Sequence, residues 1–190
     1  DEDFEDEFVL RAVERIEEES IKMNKLVEKL LMISREEALV KLYPEEININ
    51  KMTKRIIDAF HNQIKDKGLN ISVQESIEIK TIVVKEDMES ILTNLIENSL
   101  KYSSSRNIIV EIGQQSSKYY FKICNNIEKI NDEIKDNLFD PFIKGNNKNG
   151  EISSSGLGVY ICKRLCEKNS FKIQYFIEKN VIEFIIYFEK

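Results

Sequence analysis

Two carboxamides and a lysine fall on one helical spacing in this chain, with Asn94, Asn98 and Lys101 recurring at steps of four and three. On a helix those steps bring side chains to a common face. Asn is a poor residue in a helix interior, because its amide competes for backbone hydrogen bonds. Two of them one turn apart call for a chemical reason. A carboxamide oxygen is a neutral ligand for a hard cation such as Mg2+, which otherwise keeps waters and substrate phosphate oxygens. A lysine further along the stripe would meet phosphate charge. A solvated helix face in an Asn-rich chain accounts for the same spacing without any ligand.

A second signal lies about sixty residues downstream, in Ser153-Ser154-Ser155-Gly156-Leu157-Gly158-Val159. Gly156 and Gly158 let the backbone approach a ligand, and a helix starting there points free N–H groups and its positive end outward. Glycines that merely punctuate a loop would look the same. Between the two signals, Leu138-Phe139-Asp140-Pro141-Phe142-Ile143-Lys144 places two aromatics three apart, just before a polar stretch. Such a pair can pin the hinge of a mobile lid while Lys144 reaches phosphate. Read as ordinary core aromatics, Phe139 and Phe142 would both be buried, and Lys144 would have no assigned role.

These residues need elements to hold them. Residues 6–42 read as one long helix, with Val9, Ile16, Met23 and Leu30 repeating every seven positions and the first break at Pro44. That period suits packing against another helix better than against a sheet. Beyond Pro44, residues 51–66 form an amphipathic helix that Gly68 ends, followed by short strands over Leu69–Val73 and Ile77–Val84. Asp87 is placed to cap a helix that runs to about Tyr102. Its apolar side is Ile91, Leu92, Leu95, Ile96 and Leu100. Asn107–Ile112 and Tyr119–Cys124 read as an antiparallel pair. Residues 143–155 form a polar loop, Gly156–Lys168 a helix, and Phe171–Ile177 with Val181–Phe188 a closing hairpin. The order predicts an α+β fold with helices packed on one face of a mixed sheet.

Composition removes several functions. The chain has 190 residues and a net charge of −6, and its acids crowd the first twenty positions. A general basic field for nucleic acid is therefore missing, and no nucleic-acid partner is expected. The longest apolar run, Phe184 to Phe188, is far short of the ~20 residues that span a bilayer. Nor does the opening resemble a secretory signal. Cys124, Cys162 and Cys166 form neither an even disulfide set nor a zinc pattern, which fits a reducing compartment.

In order, these segments resemble the catalytic, ATP-binding domain of sensor histidine kinases in the GHKL superfamily. Residues 91–103, Ile-Leu-Thr-Asn-Leu-Ile-Glu-Asn-Ser-Leu-Lys-Tyr-Ser, are similar to that family's N box. Leu138–Lys144 resembles its F box, and Ser155-Gly-Leu-Gly-Val159 its G2 box. Residues 16–35 resemble the second helix of the dimerisation and phosphotransfer hairpin. The resemblance implies a two-layer α/β sandwich, a mixed sheet covered on one face by three helices, preceded by the long helix. It divides the chain into residues 1–43, half of the hairpin, and residues 44–190, the catalytic domain.

By position, the resemblance makes Asn98 the ligand of Mg2+ bridging the ATP phosphates. Asn94 would lie close to the phosphates, Lys101 would contact them, and Tyr102 would pack beside the nucleotide. Gly156 and Gly158, in the stretch Ser155-Gly156-Leu157-Gly158, would bring backbone donors to the phosphates, under a lid of residues 143–155 that includes Lys144. The implied activity is transfer of the γ-phosphoryl group of Mg·ATP to a histidine outside this chain. The implied partners are a phosphoacceptor histidine hairpin, a response regulator, and a second copy dimerised through the N-terminal helix. The expected setting is the cytoplasmic portion of a membrane-anchored sensor.

The chain departs from the family pattern twice. Where the G1 box reads Asp-x-Gly-x-Gly, this chain has Asn125-Asn126-Ile127-Glu128-Lys129, so Asn125 stands for the adenine-reading Asp and both glycines are gone. An Asn side chain can still accept from the adenine amino group, as Asn does when it reads adenine in DNA. The only histidine, His61, lacks a following acid and reads as a surface or capping residue. A degenerate nucleotide domain, serving for regulation or interaction, is the alternative these departures leave. Other superfamily members fit less well, since Asn94 stands where the hydrolysing clamps carry a water-activating Glu.

Overall fold

The computed structural model describes residues 42–143 and 155–188, together with 9–13, 15–17, 20, 23 and 27 of the N-terminal stretch. Those N-terminal residues are helical, and Val9, Val13, Ile16 and Met23 on the predicted seam are exposed. From Glu45 onward the elements alternate. They are β1 (Glu45–Asn48), α1 (Ile49–Ala59), α2 (His61–Asp66), β2 (Asn70–Glu75), β3 (Lys80–Val83) and α3 (Lys85–Tyr102). Then follow β4 (Ser103–Gln115), β5 (Lys118–Ile127), α4 (Asp132–Asp136), α5 (Gly158–Lys168), β6 (Lys172–Glu178) and β7 (Val181–Phe188).

Five strands form one mixed sheet in the order β2-β4-β5-β7-β6, with β2 parallel to β4 and the remaining pairs antiparallel. One face of it is built by period-two alternation. Ile108, Val110 and Ile112 of β4, Phe121, Ile123 and Ile127 of β5, and Ile182, Phe184, Ile186 and Phe188 of β7 are all buried. Against that face lie α1, α3 and α5, whose apolar sides join the strand residues in one continuous core. The stripe Ile91, Leu92, Leu95, Ile96 and Leu100 is at most 2% exposed, as its spacing predicts. This is the expected two-layer α+β sandwich.

Where the sequence reading and the structure differ, local hydrogen bonding gives the reason. The helix expected over 51–66 starts at Ile49, capped by the Asn48 side chain, which accepts from the Lys51 N–H at 2.9 Å. It breaks at Phe60, where the backbone (φ −92°, ψ 7°) turns the chain into α2. His61 opens that second helix, exposed, and no side chain caps the helix there. Gly68 (φ +61°) then closes α2 in a left-handed C-cap: Leu69 N–H reaches Ile64 C=O, and Gly68 N–H reaches Lys65 C=O.

The strand expected from Ile77 begins only at Lys80. Asn50, 7% exposed, donates to Ile77 C=O at 3.0 Å and accepts from Ile79 N–H at 2.9 Å, so these backbone groups bind α1 rather than a ladder. The strand that results, β3, pairs with β1 in a separate two-stranded ribbon (Glu45↔Val83 to Asn48↔Lys80). Asp87 does not cap α3; Val84 occupies that position, and Asp87 sits in the first turn. There its carboxylate meets Lys168 Nζ and Asn169 Nδ2, each at 2.9 Å, at the far end of α5. The short α4, capped by Asn131, was not anticipated.

The cysteines are core and sheet residues. Cys162 donates to Ile91 C=O at 3.6 Å, and burial pushes the Cys166 thiol up to about 12. Burial, followed by the nearby Glu183 carboxylate, also raises Cys124. All three thiols are free, and the raised values leave Cys124 and Cys166 poor nucleophiles at neutral pH.

The Asn50 clamp yields a stability prediction. Asn50→Ala leaves Ile77 C=O and Ile79 N–H unpaired, and should cost about 1–3 kcal/mol for each group that stays buried. Chemical denaturation of the two proteins checks this; an unchanged midpoint would show that water replaces the clamp.

Candidate functional site

Three contacts register α3 against α5 and show that the two helices run antiparallel. Asp87 at the start of α3 meets Lys168 and Asn169 at the end of α5. Ile91, one turn on, accepts from Cys162 in the middle of α5. Asn94 and Asn98 then lie against the first residue of α5, Gly158. A Cβ placed on Gly158 would stand 3.1 Å from Asn94 Oδ1 and 3.5 Å from Asn98 Nδ2. The carboxamide stripe and the diglycine corner, about sixty residues apart in sequence, form one place.

The groups that meet there are two carboxamides and the start of a helix. Leu157 occupies the cap position of α5 without a side-chain hydrogen bond, and no acid stands in the first turn. The helix therefore leaves its positive end and early N–H groups uncapped, next to Asn94 and Asn98. Asn94 is 8% exposed, and its Nδ2 donates to Ser90 C=O at 2.8 Å. That bond, to a backbone carbonyl one turn back, assigns the amide nitrogen and turns Oδ1 toward Gly158, and the Ser90 hydroxyl stands 3.4 Å from the same nitrogen. Among the described residues no three His, Cys, Asp or Glu side chains cluster as metal ligands. A cation here would be held by carboxamide oxygens and by its own phosphate ligands, and the donor set present fits Mg2+ in that form.

The corner is stitched to the segment before the polar loop. Phe142 N–H donates to Gly156 C=O at 2.9 Å. A Cβ on Gly156 (φ +68°) would fall 2.6 Å from the Phe142 carbonyl carbon and 2.8 Å from Ile143 O. No side chain fits, so glycine is required by both space and dihedral. Ser155 Oγ accepts from Leu157 N–H at 3.3 Å, and the Leu157 side chain is buried in the core. Of the two aromatics, Phe139 is half-buried, packing edge-on to Tyr175 at 4.9 Å, while Phe142 is 62% exposed with φ +67°. Phe142 is therefore not a core aromatic; its backbone rather than its ring holds the corner. Lys144 and the loop through residue 154 lie outside the described residues.

The remaining candidates gather at the C-terminal end of α3. Lys101 and Tyr102 are half-buried, with the ammonium 5.6 Å from the Tyr102 ring centroid, a cation–π distance. Ser103, the next residue, pairs with Ile127 of β5, which sets this end of the helix beside Asn125. Asn125 lies on the helix-covered face of the sheet and is 4% exposed. Its Nδ2 donates to Asn126 C=O at 3.0 Å, which leaves Oδ1 as the group to offer a ligand. Ile127, at the first missing glycine of the G1 pattern, is a buried strand residue. The structure thus brings Asn94, Asn98, Gly156 and Gly158 together, and sets Lys101, Tyr102 and Asn125 at the adjoining end.

Residues 83–187 match the family of histidine kinase-, DNA gyrase B- and HSP90-like ATPases, and the chain belongs to that family. Its curated relatives are sensor kinases. It is 23% identical over 172 residues to the sensor protein kinase PilS of Pseudomonas aeruginosa, covering 87% of this chain and 31% of PilS. It is 30% identical over 139 residues to the histidine protein kinase SaeS of Staphylococcus aureus, covering 70% of this chain and 40% of SaeS. The chain thus spans about a third to two fifths of these relatives. Among solved structures, the histidine kinase AdeS of Acinetobacter baumannii superposes with a TM-score of 0.70 at 22% identity, over 86% of this chain and 76% of AdeS. Full-length ShkA in complex with AMPPNP gives 0.73 at 17% identity, over 89% of this chain and 36% of ShkA. These likenesses establish the GHKL fold.

The Gly156 corner makes a direct prediction. Gly156→Ala should lower the thermal midpoint and speed amide exchange at Phe142, whose N–H it would displace from its acceptor. Gly158→Ala, with only a side-chain neighbour at 3.1 Å, should leave Phe142 protected. Equal protection of Phe142 in the wild type and Gly156→Ala, read by hydrogen exchange, would contradict the stitch.

Proposed function

We propose that residues 44–190 are the ATP-binding catalytic domain of a sensor histidine kinase, and that residues 1–43 supply the second helix of its dimerisation and phosphotransfer hairpin. The observation that carries the reading is the meeting of Asn94 and Asn98 with the uncapped start of α5 at Gly158. That corner sets Asn94 Oδ1 and the Asn98 carboxamide beside the backbone donors of a helix start, groups that suit a metal-charged polyphosphate.

In this reading Asn98 would hold Mg2+, and Asn94, its amide bonded to the Ser90 carbonyl, would lie beside the phosphates. Mg2+ held there would neutralise phosphate charge. The backbone N–H groups of the Gly156–Gly158 corner bind phosphate oxygens at a helix N-terminus, and Lys101 and Lys144 add positive charge. Tyr102 and Asn125 face the base, where Asn125 Oδ1 accepts from the exocyclic amine of adenine. A histidine nitrogen from the partner hairpin attacks the γ-phosphorus, and the bond to the β–γ bridging oxygen breaks as ADP leaves. The domain contributes positioning and electrostatics without a covalent intermediate of its own.

The whole protein, in this reading, dimerises through the hairpin and passes its phosphoryl group to a response regulator. In the same reading, the present chain belongs to the cytoplasmic portion of a membrane-anchored sensor. Among the described residues no helix is long and apolar enough to cross a membrane. The buried strand position of Ile127, where the family pattern has glycine, favours weakened base binding and so supports a second reading, a nucleotide domain retained for regulation.

One pair of measurements tests both readings. Calorimetry with ATP and Mg2+ should show binding to the wild type. Asn98→Ala and Asn98→Asp should lose Mg·ATP-dependent phosphorylation of a separately supplied histidine hairpin while remaining folded by circular dichroism. No heat at millimolar nucleotide would select the regulatory reading, and full phosphorylation by the Asn98 variants would refute the metal assignment.

A further inference from the structure

The strand β6 closes one side of the main sheet. Among the described residues no strand pairs with its outer edge, and the contacts on it are side-chain ones at Tyr175, whose hydroxyl donates to Lys135 C=O and whose ring meets Phe139. Its pairing with β7 runs unbroken from Lys172↔Tyr187 to Glu178↔Val181, with neither proline nor bulge to blunt it. Among the described residues no backbone hydrogen bond from another segment reaches that edge. None of its seven residues is buried, and Phe176 is 52% exposed. The opposite edge, β2, is largely polar (Asn70, Ser72, Gln74, Glu75), and Lys54 of α1 reaches across to Glu75 at 2.7 Å. An exposed apolar edge strand is a template for another strand.

The turn that joins β6 to β7 determines what the edge offers. Lys179 (φ +48°) and Asn180 (φ +64°) form a two-residue connection with both dihedrals left-handed, the type I′ geometry. In such a hairpin the flanking pair, Glu178 and Val181, is the hydrogen-bonded one, so even-numbered residues of β6 bond to β7. Ile173, Tyr175 and Ile177 therefore direct their N–H and C=O groups outward.

The sequence of this edge, Lys-Ile-Gln-Tyr-Phe-Ile-Glu, matches itself when run antiparallel about Tyr175. Lys172 then faces Glu178 of a second copy, Ile173 faces Ile177, Gln174 faces Phe176, and Tyr175 faces its own equivalent. Opposite charges fall together at both ends; between them Ile173 meets Ile177 and Tyr175 meets its equivalent, while Gln174 meets Phe176. Directly opposed cross-strand pairs of this kind stabilise a ladder, whereas like charges oppose it.

We propose that β6 is a self-complementary interface through which two copies of this chain pair edge to edge, joining their sheets across a two-fold axis at Tyr175. It is independent of the nucleotide site and of any association through the N-terminal helix. The two-fold symmetry makes each contact occur twice, as in any isologous dimer.

The test is a charge swap in the full chain, read by sedimentation velocity from micromolar to submillimolar protein. Wild type should show concentration-dependent association. Lys172→Glu alone and Glu178→Lys alone should each weaken it at least tenfold by placing like charges at both ends. The double swap should restore it. A helix-mediated association would be the same in all four proteins, and that result, or a wild type that does not associate, overturns the proposal. As a check on register, the double variant Gln174→Cys/Phe176→Cys should form an intermolecular disulfide on mild oxidation, because those positions oppose each other across the ladder. A double variant that stays unlinked would overturn the stated register.

Discussion

The antiparallel registration of α3 against α5 is the constraint on which the rest depends. It is held at one end by the Asp87 carboxylate on Lys168 and Asn169, and in the middle by the Cys162 thiol on Ile91. At the other end Gly158 abuts Asn94 and Asn98. The exposed Lys168 makes its ion pair a small contribution by itself. Its value is positional: a shift of one helical turn, about 5.4 Å, would part the carboxamides from the glycine corner.

That registration also explains the unusual composition of α3. A helix with asparagines in its interior gives up some intrinsic stability. Here the loss is offset by a stripe of five aliphatic residues at most 2% exposed, which the sheet and the neighbouring helices enclose. The helix is thus held by packing on its apolar side. The same holds at the corner. The Leu157 side chain anchors α5 in the core, so the glycines on either side can leave the backbone bare.

Much of this was legible in the sequence, for identifiable reasons. The apolar stripe of α3 and the alternation in β5 and β7 are periodic signals that burial enforces. Motif order then made the family recognisable. What escaped depends on partners distant in sequence. Asn50 looks like any polar helix residue until Ile77 and Ile79 are folded against it, so the start of β3 was misplaced. Asp87 has the chemistry of a cap and sits at the correct end of α3, yet its partners lie on α5. Phe142 was read through its ring, whereas the structure uses its backbone at positive φ. Gly156 was marked as a place where the backbone could approach a ligand; within the chain, what approaches it is the Phe142 peptide.

The account stands or falls on whether the Asn94–Asn98–Gly158 cradle is where a metal–nucleotide complex sits. Paramagnetic relaxation measured by NMR on the full chain, with Mn2+ in place of Mg2+ and a non-hydrolysable ATP analogue, tests this directly. The account predicts broadening that is strongest at the amides of Asn94, Asn98, Gly156 and Gly158, and that appears only when the analogue is present. Broadening centred elsewhere on the fold, or none at millimolar nucleotide, would contradict it.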